Sequence, residues 1–318
     1  MSDSQPTKFT SIPRGYVAAA GVVAAIGLLL IAPIDYPGRL LGVVFDYGHV
    51  PAFALLVFAV TRLLCGKSPS IKTAGTIAIA ATVFGVGAEF VQQYVGRSAE
   101  PGDAFANAIG AAIGFLAATW NQWRPNQRRL GTALLIIGTI AAVWSPTWTL
   151  IDINRQRNEF PLLGSFESEL ELSRWHSRRS SRRRSDKHAS DGKFCLEWKL
   201  RPARYPEVHT RWPFGDWSLY QDLEVDIWND HSPLPIVVKI EDASHNGQYE
   251  DRFQQEILLP TGKTTVRVNL NDVRTAPQSR ELNMQQIARV AFFTADLTER
   301  RVLYLDRLEL TGANASGE

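Results

Sequence analysis

The chain begins with five hydrophobic stretches and then changes to short alternating segments. The first stretch, Tyr16–Ile34, is an uncharged run, YVAAAGVVAAIGLLLIAPI. As a helix rising about 1.5 Å per residue, such a run is long enough to cross a hydrocarbon core of roughly 30 Å. Four similar stretches follow, at about Leu40–Val60, Thr73–Val95, Ala104–Trp120 and Leu130–Ile151. The pattern predicts a multi-pass membrane bundle of five helices over residues 16–151, after a cytoplasmic tail, residues 1–15.

The pattern changes to period two after residue 162, following a linker at residues 152–162. Apolar and polar residues alternate in short runs that are separated by Gly, Pro, Asn and Asp, which is typical of strands and turns. The predicted strands are Leu163–Glu167, Lys193–Leu200, Leu219–Trp228, Pro235–Glu241, Arg252–Leu259, Thr264–Asn269, Ile287–Thr294 and Val302–Leu310. Antiparallel strands of this number indicate an all-β jelly-roll sandwich over residues 163–312, followed by a short tail, residues 313–318.

The overall composition conceals these two halves. The chain has 318 residues, 45% hydrophobic and 21% charged, with a net charge of +2. These averages exclude a disordered chain and a strongly basic nucleic-acid binder, so no nucleic acid is expected as a partner. The two cysteines are too few for a disulfide scaffold, and we interpret Cys65 and Cys195 as small hydrophobic residues.

The distribution of basic residues predicts the orientation. Eight Lys and Arg residues lie in the N-terminal tail and in the loops between the second and third and the fourth and fifth stretches, against four on the opposite side. Cytoplasmic loops carry the excess of Lys and Arg. We therefore expect a bacterial inner-membrane protein with a cytoplasmic N-terminus and a periplasmic C-terminal domain. Cys65 and Cys195 would then lie on opposite sides and could not pair.

Polar residues inside the hydrophobic stretches form the first candidate site. Ionisable groups at membrane depth are costly and usually face a bundle interior or a cavity. Here they fall at the start of the second stretch, the end of the third and the start of the fourth, which share one depth in the predicted topology. They are Asp46, His49, Glu89, Gln92, Arg97, Asp103 and Asn107.

These positions form the patterns D-x-x-H, E-x-x-Q followed by R, and D-x-x-x-N-x-x-G. The patterns resemble those of the VanZ-like family of bacterial membrane proteins over about residues 40–120. The resemblance implies that the seven residues are motif positions, in a family associated by name with glycopeptide-antibiotic resistance. Tyr47 departs from the family pattern, in which a lysine is common, so a mechanism that needs that amine is in doubt.

The chemistry of this cluster leaves three interpretations open. Asp46, His49, Glu89 and Asp103 could act as catalytic acids and bases. Arg97 could bind a phosphate or carboxylate, with Gln92 and Asn107 as further ligand-binding groups. The same side chains could instead only join helices by hydrogen bonds. A metal site is a weaker prediction, because the cluster has one imidazole.

The C-terminal half contains the segments GSFE, DGKFCLEW, DWSLY and LYLDRLEL. They resemble segments of carbohydrate-binding, galactose-binding-like jelly rolls. Sugar binding needs an aromatic face and planar polar groups, and we predict Trp212, Trp228, Tyr249 and Arg252 as ligand-binding residues, the last three as neighbours on one sheet face. Most other aromatic residues are expected in the core.

Two further predictions concern charged residues of this half. The jelly-roll resemblance implies a structural calcium ion at Glu167 and Asp306, for which a surface salt bridge is the alternative. The basic run at residues 178–184 predicts either a contact with lipid phosphates or anionic glycan, or a solvated mobile loop.

Three functional hypotheses follow. The protein could bind an envelope polysaccharide or lipid-linked saccharide without catalysis, it could be a membrane-embedded enzyme acting on a lipid-linked glycan, or it could be a structural partner of other envelope proteins. Membrane lipids are expected partners in each case.

Overall fold

The computed structural model describes residues 13–31, 38–92 and 101–313. The chain divides into two compact units, one with residues 1–35 and 42–147, the other with residues 36–41 and 148–318. We refer to them as the helical unit and the sandwich unit. Arg97 lies outside the described residues, as does the side chain of Gln92, so those two predictions stay open.

Five long helices precede the sandwich: α1 (Arg14–Ile31), α2 (Arg39–Cys65), α3 (Ile71–Gln92), α4 (Pro101–Thr119) and α5 (Pro125–Glu159). Four of the described helices, α2 to α5, are long and apolar enough to cross a membrane. The described apolar part of α1, Arg14–Gly27, is shorter. The prediction of five helices was too low, because the described residues also form a short helix in the sandwich, α6 (Leu270–Thr275), and several 3-10 helices, such as Trp120–Gln122. These additional helices are too short to show an amphipathic period in the sequence.

Small residues let α2 and α4 pack closely. A Cβ atom on Gly110 would lie 2.4 Å from the carbonyl oxygen of Val50, and one on Gly114 would lie 2.4 Å from that of Ala54. Such contacts are shorter than real side chains make, so only glycine fits at these two positions. Phe53, which is fully buried, fills the interior beside them.

Within the described residues, the sandwich unit has eleven strands in two antiparallel sheets. They are β1 (Leu162–Gly164), β2 (Trp175–Arg178), β3 (Ser180–Ser185), β4 (Cys195–Leu200), β5 (Glu207–Arg211), β6 (Asp222–Asn229), β7 (Leu234–Asp242), β8 (Phe253–Leu259), β9 (Gly262–Asn269), β10 (Ile287–Phe293) and β11 (Arg301–Thr311). Sheet I has the order β3-β4-β11-β6-β9, with β1 paired to β11, and sheet II has the order β2-β5-β10-β7-β8. The predicted two-sheet sandwich is confirmed.

The sandwich core lies between the inner faces of the two sheets. Alternate residues such as Val208, Ile240 and Val290 point inward, and the largest fully buried side chains include Trp175 and Trp198. Burial of these apolar side chains is the main force that holds the two sheets together. The expectation that most aromatic residues of this half are core agrees with this packing.

In the basic run at residues 178–184, only Arg179 lies in a turn, and the other residues belong to strands. It forms the end of β2 and most of β3, which pairs with β4 in full register from Ser180 to Ser185. Arg183 forms an ion pair with Glu197 across the two strands, at 2.8 Å. The mobile-loop interpretation was therefore wrong, because adjacent carboxylates and the strand ladder hold this segment in place.

Candidate functional site

A polar cluster in the helical unit brings together three of the predicted catalytic residues. Ligand atoms of His49, Glu89 and Asp103 all lie within 4.8 Å of one another. His49 and Glu89 are buried, and the Asp103 side chain is 17% exposed. Asp46 is half-buried one helical turn before His49. The structure thus gathers residues from α2, α3 and α4, as the shared depth in the sequence suggested.

Asn107 fixes the orientation of the His49 ring. Nδ1 of His49 lies 2.8 Å from Oδ1 of Asn107, and because an amide oxygen only accepts, Nδ1 carries the proton. Nε2 of His49 then faces Asp103, with 3.7 Å between Nε2 and Oδ2. Asn107 is itself fully buried, close to Gly85 of α3. The arrangement leaves Nε2 as the atom that could take up or release a proton.

Tyr47, which follows Asp46 on α2, has a structural contact. Its hydroxyl lies 2.8 Å from Oγ1 of Thr147 on α5. The side chain therefore joins two helices of the helical unit.

The outer face of sheet II carries a second cluster, which the sequence analysis largely missed. Alternate residues of β5, β10 and β7 point away from the core, and five ionisable ones come together: Glu207, His209, Lys239, Glu241 and Arg289. All but Arg289 are less than a tenth exposed. We call this set the sheet II cluster. Charged groups that are shielded from water are costly unless they are paired. Clusters of such groups are concentrated at functional sites, so this set is a candidate site.

Glu241 is the centre of this cluster. Its Oε1 atom lies 2.9 Å from Nζ of Lys239 and 3.3 Å from Nε2 of His245. Arg289 bridges the cluster, with Nη1 3.7 Å from Oε2 of Glu241 and Nη2 bonded to Glu207. Two acids thus hold several cations in fixed positions across three strands.

The surroundings of Glu207 and His209 favour the charged form of the acid and the neutral form of the imidazole. Burial alone would raise the pKa of Glu207, but the hydrogen bond from His209 and the charge of Arg289 outweigh it and lower that pKa to about 2. Burial lowers the pKa of His209. His176 is exposed at its outer edge, but neighbouring groups partly desolvate its ring, and this desolvation, followed by repulsion from His209 and Arg182, lowers the pKa of His176 to about 4. His176 and His209 are stacked, with ring centroids 5.4 Å apart.

Tyr249 and Arg252 lie just before strand β8 of sheet II and contact each other. Tyr249 is 61% exposed, and the guanidinium of Arg252 lies over its ring, 5.0 Å from the centroid. Gln254 accepts a hydrogen bond from Arg252 and donates one to the Tyr249 hydroxyl. Gln254 also lies opposite Lys239 in the β7–β8 register, which connects the pair to the sheet II cluster.

Trp228 is not a neighbour of these residues, because β6 belongs to sheet I. Its ring stacks on His188 with 4.3 Å between centroids, and its Nε1 donates to Asp230. The prediction that Trp228, Tyr249 and Arg252 share one sheet face was wrong, because β6 and β8 belong to different sheets. The alternation of apolar and polar residues predicts strands but does not show which sheet a strand joins.

Trp212 lies at a turn after β5. Its φ of 52° is in the left-handed region, which is uncommon for a bulky residue. Its N–H donates to the carbonyl of Ala288 at 2.8 Å, and this bond holds the turn against the start of β10.

Glu167 and Asp306, the predicted calcium ligands, both bind the loop that precedes β4. Oε1 of Glu167 accepts from the N–H groups of Lys193 and Phe194, and Oδ2 of Asp306 accepts from those of Ser190 and Asp191. Calcium takes oxygen ligands, whereas the described partners of these carboxylates are N–H donors. The donor set therefore fits a loop clamp better than a calcium site, and calcium stays a prediction.

Comparison with known proteins finds solved structures that are similar to about half of this chain. No family model and no curated protein matches the chain. Among solved structures, a family 11 carbohydrate-binding module from Clostridium thermocellum, in complex with a β-1,3-1,4-mixed-linked tetrasaccharide, is 21% identical, with a TM-score of 0.40 over 48% of this chain and 95% of that one. An exo-β-agarase is 15% identical, with a TM-score of 0.39 over 48% of this chain and 25% of the agarase.

Proposed function

We propose that this protein is a membrane protein that binds saccharide on the outer face of sheet II. The observation that carries the proposal is the sheet II cluster. It lies on the outer face of the sheet, opposite to the sandwich core, yet the side chains of Lys239 and Glu241 are about nine-tenths buried. Fixed, paired charges of this kind present hydrogen-bond donors and acceptors in set directions. Sugar hydroxyls need both, because each hydroxyl donates and accepts.

Free donors and an exposed ring complete the proposed site. In the part of the chain that the structure describes, Nε of Arg289 and Nε of Arg252 have no hydrogen-bond partner. Both atoms are buried, so a sugar hydroxyl or carboxylate could accept from them only after the two side chains shift. Tyr249, 61% exposed, offers an aromatic face for the C–H side of a pyranose.

The four long apolar helices support a role at a membrane. The Lys and Arg distribution supports a bacterial inner membrane with the sandwich unit in the periplasm, where an envelope polysaccharide or a lipid-linked saccharide would be the ligand. The polar motifs of the helical unit support a VanZ-like relationship. Other envelope proteins remain candidate partners under the structural hypothesis.

A second candidate function is acid–base chemistry on a lipid-linked glycan by the helical unit. The close approach of His49, Glu89 and Asp103 favours it, since Asn107 orients Nε2 of His49 toward Asp103. Replacement of Asp103 with Asn would then abolish product formation while the protein stays folded. Product formation that persists in this variant would exclude the enzymatic hypothesis.

Mass spectrometry of glycans that copurify with the full chain tests the main proposal. We expect the wild-type protein to retain saccharide and the Glu241→Gln variant to lose it. The control is Glu299→Gln, an acid whose side chain is 66% exposed on a loop of the sandwich. Equal retention by wild type and Glu241→Gln would contradict binding at the sheet II cluster.

A further inference from the structure

A separate cavity in the sandwich unit has the chemistry of a phosphate site. It has a volume of about 290 Å³, and its walls include Arg39, Gln156, Arg157, Trp212, Phe214 and Gln285. Among the described residues, the lining has two arginines, three glutamines and no carboxylate. We infer that this cavity binds the phosphate group of an anionic membrane lipid.

The two arginines have different roles. Nη1 of Arg39 lies 2.6 Å from Oδ2 of Asp152, and Nη2 donates to Ser173, so Arg39 is fixed and its charge is compensated. Arg157 makes no ion pair among the described residues, and its guanidinium lies 5.8 Å from the ring centroid of Phe214. Arg157 therefore supplies the uncompensated positive charge, which matches the single negative charge of a phosphodiester.

The position of the cavity in the chain favours a lipid over a free anion. Arg39 is the first residue of α2, and Gln156 and Arg157 lie in the last turn of α5, two helices that are long and apolar enough to cross a membrane. The ends of such helices lie at the level of the lipid headgroups. Trp212 and Phe214 add aromatic rings, and tryptophan is enriched at that level.

The Trp212 turn gives a second reason to assign a function to this cavity. A tryptophan at φ 52° is held in a backbone region that is unfavourable for it. Such strain persists only where the surrounding structure imposes it, and it is concentrated at ligand sites. Gly215, at φ 97°, packs the turn against Phe160. A Cβ atom added to Gly215 would lie 2.1 Å from the Phe160 ring, so only glycine fits there. The turn is thereby fixed with Trp212 and Phe214 in the cavity wall.

Native mass spectrometry of the full chain in detergent tests the inference, with phosphatidylglycerol, phosphatidylcholine and inorganic phosphate as probes. We expect phosphatidylglycerol to bind most tightly and the Arg157→Gln variant to bind it about tenfold more weakly, the effect of losing one charge-assisted hydrogen bond. Arg157→Lys, which keeps the charge, should retain part of the affinity. The control is Arg201→Gln, an exposed arginine of the sandwich unit. Unchanged melting temperatures show that the variants are folded.

Three results would overturn the inference. Equal binding of phosphatidylglycerol by wild type and Arg157→Gln would exclude the cavity as the site. Equal binding of phosphatidylcholine and phosphatidylglycerol would show that lipid charge is not recognised. Inorganic phosphate that binds as tightly as phosphatidylglycerol would indicate a free-anion site instead of a lipid site.

Discussion

Nζ of Lys239 lies 2.9 Å from Oε1 of Glu241 on the outer face of sheet II, and both side chains are about nine-tenths buried. Burial lowers the pKa of Lys239, and the Glu241 carboxylate opposes that shift. The Glu241→Gln variant would leave a buried ammonium with a neutral partner. We expect it to lower the free energy of unfolding by about 1–3 kcal/mol, as measured by thermal denaturation of the full chain. Glu299→Gln should change it by no more than about 0.5 kcal/mol.

Aromatic rings of the two sheets should differ in their effect on saccharide binding. Tyr249→Ala removes a ring that is 61% exposed beside the sheet II cluster, and we expect about a tenfold loss of affinity. Trp228→Ala should leave affinity unchanged, because its ring is covered by His188 on sheet I. Titration of both variants with the same polysaccharide measures the difference. A larger loss for Trp228→Ala would place the site on sheet I.

A buried ion pair ties the last part of α5 to the sandwich within the sandwich unit. Arg174, 1% exposed, donates to both carboxylate oxygens of Asp152, with Nη2 2.9 Å from Oδ1. Asp152→Asn would leave Arg174 with less compensation, so we expect destabilisation by about 3–5 kcal/mol. The matched control is Arg155→Gln, an exposed contact of the same helix to Ser168. Similar melting temperatures for the two variants would show that the Asp152 pair contributes little.

The stability of the sandwich unit should fall as the pH decreases from 7 to 4. The pKa of His176 drops from its ordinary value of 6.5 to about 4 in the folded protein, chiefly because neighbouring groups partly desolvate its ring. Between these values the unfolded chain binds the extra proton, so acidification favours unfolding. The pKa of Glu207 is lowered to about 2 in the folded protein, so stability falls further once the pH drops below 4.5, the ordinary pKa of a glutamate. His176→Asn should make the decline between pH 7 and 4 shallower, and an unchanged pH profile would exclude this histidine as a cause.

The sequence was sufficient for features that depend on local pattern. Long apolar runs predict helices such as α2, and alternation predicts strands such as β6. The gathering of His49, Glu89 and Asp103 followed from their common depth at the ends of three runs. Each of these predictions depends on residues that are close in the chain or that lie at matching ends of long apolar helices.

Other features depend on strand order, which the sequence does not encode locally. Glu207, Glu241 and Arg289 come from strands that meet only because β10 lies between β5 and β7. The alternation of Glu207, His209 and Arg211 along one strand was the signal that could have revealed the outer face. The same lack of strand order led to the placement of Trp228 beside Tyr249. The arginine-rich β3 was missed because its pairing with Glu197 stabilises a strand that its own composition disfavours.

Isothermal titration of the purified full chain with soluble polysaccharides tests saccharide binding at the sheet II cluster most directly. The probes are a neutral mixed-linked β-glucan, a galactan and a polyuronate. We predict saturable binding of at least one probe, lost in Glu241→Gln and kept in Glu299→Gln. Absence of binding to all three probes, or equal binding by wild type and Glu241→Gln, would contradict the proposed function.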